Sequence, residues 1–189
     1  MRRVRKVRRR LAMLKQFTKI ICLLTMLLSF YAASVCSAGY STYLNDDKNY
    51  ILCDGHMGRG WYIVRDSLEV EKYEPPEYVI KVQMVSAESA IGNVDDFYSG
   101  GKGKIISHFS KRFRYNWDAK TMFVEYDKGW RYLNPVGCWA ESGIFMPAGE
   151  IAFALAYNMK FYGSQKYYIE DLHQYVDPLD EGFYERVGL

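Results

Sequence analysis

Residues 105–133, IISHFSKRFRYNWDAKTMFVEYDKGWRYL, admit little but a β-meander. Apolar and polar side chains alternate with period two, the pattern of strands with one face buried and one face wet. In the first strand Phe109, Phe113 and Tyr115 face one way, and Arg112 and Arg114 the other. NWDAK turns the chain, and TMFVEY returns with Met122, Val124 and Tyr126 on a common face. Asp127-Lys128-Gly129 makes a tight turn, with Gly where a positive φ is cheap. WRYL then supplies the third antiparallel strand.

Upstream, YILC (50–53) reads as a short strand and DGHMGRG (54–60) as a turn. In SLEVEKY, Leu68 and Val70 alternate with Glu69 and Glu71; in YVIKVQMVS, Ile80, Val82 and Met84 oppose Lys81 and Gln83. The two strands are neighbours across EPPE (74–77), because proline cannot donate to a ladder. Residues 87–104, which include NVDDFYSGGKGK, read as a mobile polar loop. Pro147 suits a first helical position, and AGEIAFALAYNMKFY runs on to Gly163, a good stop. That helix, near 148–162, is apolar nearly all round and too short to span a bilayer, which makes it a core helix. The fold class expected is α+β: an antiparallel sheet of five to seven strands packed by one main helix.

Charge divides the chain. Residues 1–38 hold nine of the 25 Lys and Arg and none of the 22 Asp and Glu, which leaves 39–189 with a net charge of −6. The bases precede an uncharged apolar run, IICLLTMLLSFYAASVC, and then Ser37, Ala38 and Gly39. A basic n-region, an apolar h-region and a small-residue exit make a secretory signal peptide. Cleavage is expected after Ala38, with Cys36 and Ala38 at −3 and −1; an uncut signal anchor is the alternative. The protein is therefore expected outside the cytoplasm: secreted, periplasmic or attached to the cell envelope. An acidic body lacks the electrostatic footprint for phosphate backbones, so nucleic acid is excluded as a partner. The membrane enters only through an uncleaved signal. The expected organisation is a signal at 1–38, a loose leader at 39–49, a single domain at 50–163 and an acidic aromatic tail, partly ordered, at 164–189.

Cys53 and Cys138 are the two thiols left after the signal, an even pair in an oxidising compartment. Their pairing is expected as a disulfide, which would stabilise the fold by about 4–4.5 kcal/mol in the chain-entropy account.

The chemistry-bearing residues are sparse. His56, His108 and His173 have no partner at i+3 or i+4, so no helical metal pair exists. Nucleophile-elbow, phosphate-loop, CxxC-pair and dinucleotide motifs are absent, and neither cofactor nor metal is expected. Cys53-Asp54-Gly55-His56 sets a thiol near an imidazole, but the expected disulfide occupies that thiol. Glu150 opens an apolar helix, where its carboxylate complements the dipole. Trp61, Trp130 and Trp139 are read as core. Trp117 sits in a turn, where it either caps the sheet end or offers a ring to a ligand. Trp117, Arg112 and Arg114 are the candidate ligand-binding residues, with the 93–104 loop beside them.

The reading is an exported, bacterial-type, non-catalytic binding or envelope-associated module, partnered by an envelope protein or glycan. Two rivals remain open: a small secreted hydrolase using carboxylates or His108, and a signal-anchored subunit whose acidic tail docks on a partner.

Overall fold

The structure, a computed structural model, describes residues 39–127 and 129–189. The signal segment expected over 1–38 lies outside the described residues. β1 (Tyr50–His56), β2 (Arg59–Glu74), β3 (Glu77–Ser89), β4 (Gly103–Asn116), β5 (Thr121–Tyr126) and β6 (Gly129–Leu133) form one antiparallel sheet in sequence order. It curls as a half-barrel. The meander expected over 105–133 is β4–β6. Pro75 and Pro76 lie between the paired Glu74 and Glu77, outside the ladder that neither could join.

Alternation decides which side of the sheet is core. Ile63, Ile80, Val82, Phe113, Met122 and Val124 lie on one face, each at 0% exposure. The main helix covers them. Of the three α-helices among the described residues, α1 spans Val94–Tyr98, α2 Trp139–Ser142 and α3 Phe145–Tyr157. α3 buries Met146 through Ala154 without a break, which is why it carries no polar stripe. Its Gly149 lets the helix lie close on the sheet, since a Cβ there would collide with the Met122 sulfur. Tyr115 Oη donates to the Gly149 carbonyl at 2.8 Å across the same contact.

The helix differs from expectation at both ends. It begins at Phe145, so Pro147 is its third residue; the first-turn N–H groups lack intrahelical acceptors, and a proline there removes no bond. It stops at Asn158 rather than Gly163. Asn158 takes the left-handed conformation (φ 53°, ψ 40°) and donates to the Ala154 carbonyl, a cap that Asn tolerates as well as Gly.

Two segments expected to be loose are packed. The sheet carries a second apolar cluster, including Tyr62, Val85 and Ala87, on the face away from α3. Leu44 (2% exposed) and Phe97 (0%) cover it. In the leader, Tyr43 bridges to Ile51, and its hydroxyl donates to the Arg186 carbonyl at 3.0 Å. In the expected mobile loop, Asn93 Oδ1 caps α1 by accepting from the Asp95 and Asp96 N–H groups. The cause is that this end of the sheet is apolar on both faces, and burying a side chain such as Phe97 or Leu44 stabilises by about 1.5–3 kcal/mol.

The C-terminal segment folds back onto α3. β7 (Tyr167–Ile169) and β8 (Gln174–Val176) form a separate hairpin. A 3-10 helix, Glu181–Val187, places Phe183 and Tyr184 in the main core at 3% exposure each. The link is Glu150 on α3, fully buried. Its carboxylate accepts from the Phe161 N–H at 2.6 Å, the Tyr162 N–H at 2.8 Å and the Tyr184 hydroxyl at 2.6 Å. Glu150 is the sixth residue of α3, past the first turn where a carboxylate complements the dipole, and its role is instead to hold the segment after the helix.

Candidate functional site

The register of β3–β6 writes the outward face as cross-strand rows. Glu77, Asn116 and Thr121 form one row. Val79, Arg114, Phe123 and Tyr132 form the next, and Lys81 pairs with Arg112 while Glu125 pairs with Trp130 in the third. Two of the three residues singled out in the sequence, Arg112 and Arg114, thus share this face. Their electrostatic settings differ. Arg112 spends its donors on Glu71 Oε2 (2.6 Å) and Glu125 Oε1 (2.9 Å), and the two acids raise its already high pKa further. The Arg114 guanidinium lies over the rings of Phe123 (4.8 Å) and Trp130 (5.1 Å). Among the described residues no acid or carbonyl takes a hydrogen bond from it. Tyr132, 44% exposed, packs on Phe123 with ring centroids 5.6 Å apart. A guanidinium stacked on two rings is held flat with its N–H donors unspent, an arrangement suited to a planar anionic group.

Trp117 is elsewhere. It caps the sheet end on the core side: Phe153 stacks on it at 5.8 Å and 15°, and Lys120 Nζ lies 3.0 Å from its centroid. Burial pushes the Lys120 pKa down. With Phe153 and Lys120 on its ring, Trp117 is not joined to the two arginines. The aromatic residues of the outward face are Trp130, Phe123 and Tyr132 instead. Trp130 is not core as its sequence context suggests: its partner Glu125 faces out, and directly paired residues share a face. Carrying the alternation of β5 across the DKG turn is the signal that finds it.

Cys53 and Cys138 are not bridged. Cys53 points into the core beneath β1, where burial pushes its thiol pKa well up; Cys138 leads α2 and is exposed. An even number of thiols does not by itself supply the geometry of a bridge. A maleimide added to native protein should label Cys138 and leave Cys53 untouched until urea is added, as read by peptide mapping; native labelling of Cys53 would refute this burial.

The three histidines of the described residues lie in three separate places. His56 packs on Trp139 with the rings tilted by 34° and their centroids 4.6 Å apart, and the indole N–H donates to Asp54 Oδ2 at 3.0 Å. Trp139 is half exposed rather than core. His108 lies exposed on β4 and His173 at the turn between β7 and β8. Asp177 and Asp180 share a cleft of about 410 Å³ with Lys160 and Lys166, but both are exposed, and Asp177 is ion-paired with Lys166 at 3.2 Å. A glycosidase acid needs a buried carboxyl. The buried one, Glu150, already has its lone pairs taken by backbone and tyrosine donors. Among the described residues no group of three or more His, Cys, Asp or Glu is placed to hold a metal, and no helix is long and apolar enough to cross a membrane.

No protein-family model, curated protein or solved structure matches the chain. Its function is read from its own side chains.

Proposed function

We propose that this chain is a non-catalytic binding module, exported by its N-terminal segment, that recognises an envelope glycan or protein through the outward face of β4–β6. The observation that carries the reading is Arg114, laid over Phe123 and Trp130 with no acid hydrogen-bonded to it among the described residues, beside exposed Tyr132. Arg, Trp and Tyr dominate recognition surfaces because they combine apolar area with directed donors at little entropic cost. The exported location rests on the arrangement of bases, apolar run and small residues in 1–38. Protein isolated from cells with 1–38 still attached would turn it into an anchored subunit with the same binding face.

The test is co-sedimentation of the purified protein with envelope isolated from its own host. The native protein should be retained. Arg114→Ala combined with Trp130→Ala should lower the apparent affinity about 30-fold, the loss of one strong anchor, with the melting temperature little changed. Absence of retention, or equal retention of native and variant protein, would overturn the reading.

A further inference from the structure

We infer that the pocket where β3, β4 and β5 meet this face takes an acidic saccharide, a sugar ring that bears a carboxylate; the inference rests on the binding-module reading above. The pocket has a volume of about 210 Å³ and is lined by Glu77, Arg114, Asn116, Thr121 and Phe123, with Tyr115 at its floor. It is a product of register. Glu77 pairs with Asn116 and Asn116 with Thr121, so three hydrogen-bonding side chains stand in one row; Arg114 pairs with Phe123 in the next.

Each lining group answers a different part of such a ligand. Arg114 offers a planar fork of N–H donors, the geometry that a carboxylate accepts in bidentate fashion. Phe123 supplies an apolar wall for the C–H face of a ring. Thr121 can donate or accept. Asn116 has its carbonyl oxygen committed to the Ala119 N–H at 2.9 Å, so its amide NH₂ is what it has to give. Glu77 is an acceptor for sugar hydroxyls. Lys72 Nζ, 2.7 Å away, holds its carboxyl below the usual range, and Arg114 adds to the effect, so Glu77 is ionised at neutral pH.

This mixture selects among ligand classes. A bare phosphate or sulfate would find Arg114 but bring no ring hydroxyl for the Glu77 acceptor and no ring face for Phe123 to cover. A neutral sugar would satisfy Glu77, Asn116 and Thr121 and leave the Arg114 donors without an acceptor, an uncompensated desolvation. A carboxylate-bearing ring uses the guanidinium, the acceptor and the aromatic wall together. The volume holds one ring, which places recognition at a terminal or single internal residue of the glycan.

Calorimetric titration of the full-length protein with gluco-, galacto- and mannuronate oligosaccharides tests this. At least one should bind, and its carboxyl-reduced counterpart should bind at least tenfold more weakly. Arg114→Lys, which keeps the charge and loses the fork, should weaken binding about tenfold. Thr121→Val, where the hydroxyl makes no hydrogen bond among the described residues, should weaken it several-fold at an unchanged melting temperature. The inference is overturned by equal binding of the carboxyl-reduced sugar, by inorganic sulfate competing as well as the uronate, or by no uronate binding. If it fails in one of these ways while envelope retention still depends on Arg114 and Trp130, the ligand class is wrong and the binding face stands. If that retention is also absent, both readings fall.

Discussion

Glu150→Ala should destabilise the protein by about 3–5 kcal/mol, the scale on which buried polar groups lose their only partner. The substitution strands the Phe161 N–H, the Tyr162 N–H and the Tyr184 hydroxyl, all now directed at one carboxylate. Each such donor costs about 1–3 kcal/mol when left unmet, and water entering the vacated space recovers part of the sum. The effect is spread over the chain, because those donors belong to the segment after α3 and to the C-terminal 3-10 helix. The urea midpoint should fall, and tyrosines near the C-terminus should become accessible at lower urea than in the native protein. A shift of less than about 1 kcal/mol would mean that Glu150 does not hold the tail.

The same residue sets a pH dependence. Burial pushes the Glu150 pKa up from its ordinary value of 4.5, while Tyr184, Tyr162 and Phe161 oppose the shift by donating to the carboxylate. Tyr115, Tyr162 and Tyr184 around it have their own pKa values raised, chiefly by burial, and stay protonated throughout this range. Lys120 is the cation whose field reaches Glu150. Because the folded pKa exceeds the unfolded one, the folded state holds the proton to higher pH. Stability linked to this group is therefore fully present below pH 4.5 and is lost as pH rises through the raised folded value. Glu150→Gln should flatten that fall in urea titrations run from acid to neutral pH. A native slope of the opposite sign, removed by the same substitution, would contradict the assignment.

Phe153→Ala should also cost about 3–5 kcal/mol, the range for deleting a buried Phe ring. Phe153 is 1% exposed and central to the aromatic core. Its ring lies 5.6 Å from Tyr78, 5.0 Å from Tyr115, 5.8 Å from Trp117, 4.8 Å from Tyr157 and 4.9 Å from Phe161. Those partners come from β3, the end of β4, the turn after it, α3 and the segment after the helix, so the cavity opens where the layers meet and none can close it alone. Phe153→Leu should cost less, about 1–2 kcal/mol, since much of the volume is kept. The denaturant midpoint reads the loss. Trp117 emission should change in the alanine variant, because its stacking partner is gone; unaltered emission would place Trp117 outside this contact.

How much of this was legible depended on whether the relevant physics was local. Strand positions, the core faces of β3–β5 and the Pro-Pro hairpin follow from period-two alternation and from the missing proline N–H, which neighbouring residues express. The existence of α3 followed from an apolar run of helical length. Its end did not, because Asn158 was a less obvious stop than Gly163 and both can adopt the left-handed conformation. Arg112 and Arg114 were found because they alternate with Phe113. Phe123, Trp130 and Tyr132 were missed because joining them needs the register of two turns, although the letters contain it. Trp117 was ambiguous for a plain reason: its partners Phe153 and Phe161 are far along the chain.

The sequence by itself determined the antiparallel meander, the core faces of β3, β4 and β5, the all-apolar helix and the division of charge between residues 1–38 and the acidic remainder. Each rests on nearest neighbours, where a side chain's solvation preference and the backbone period suffice. Only the tertiary structure decided that Glu150 would be buried and satisfied by residues 161, 162 and 184. It also decided that the leader and α1 cover a second apolar face, that Cys53 and Cys138 are not bridged, and that Arg112 is ion-paired with two acids while Arg114 lies over two rings. These are contacts between distant segments, and burial, pairing and desolvation act on whatever the fold brings within a few ångströms.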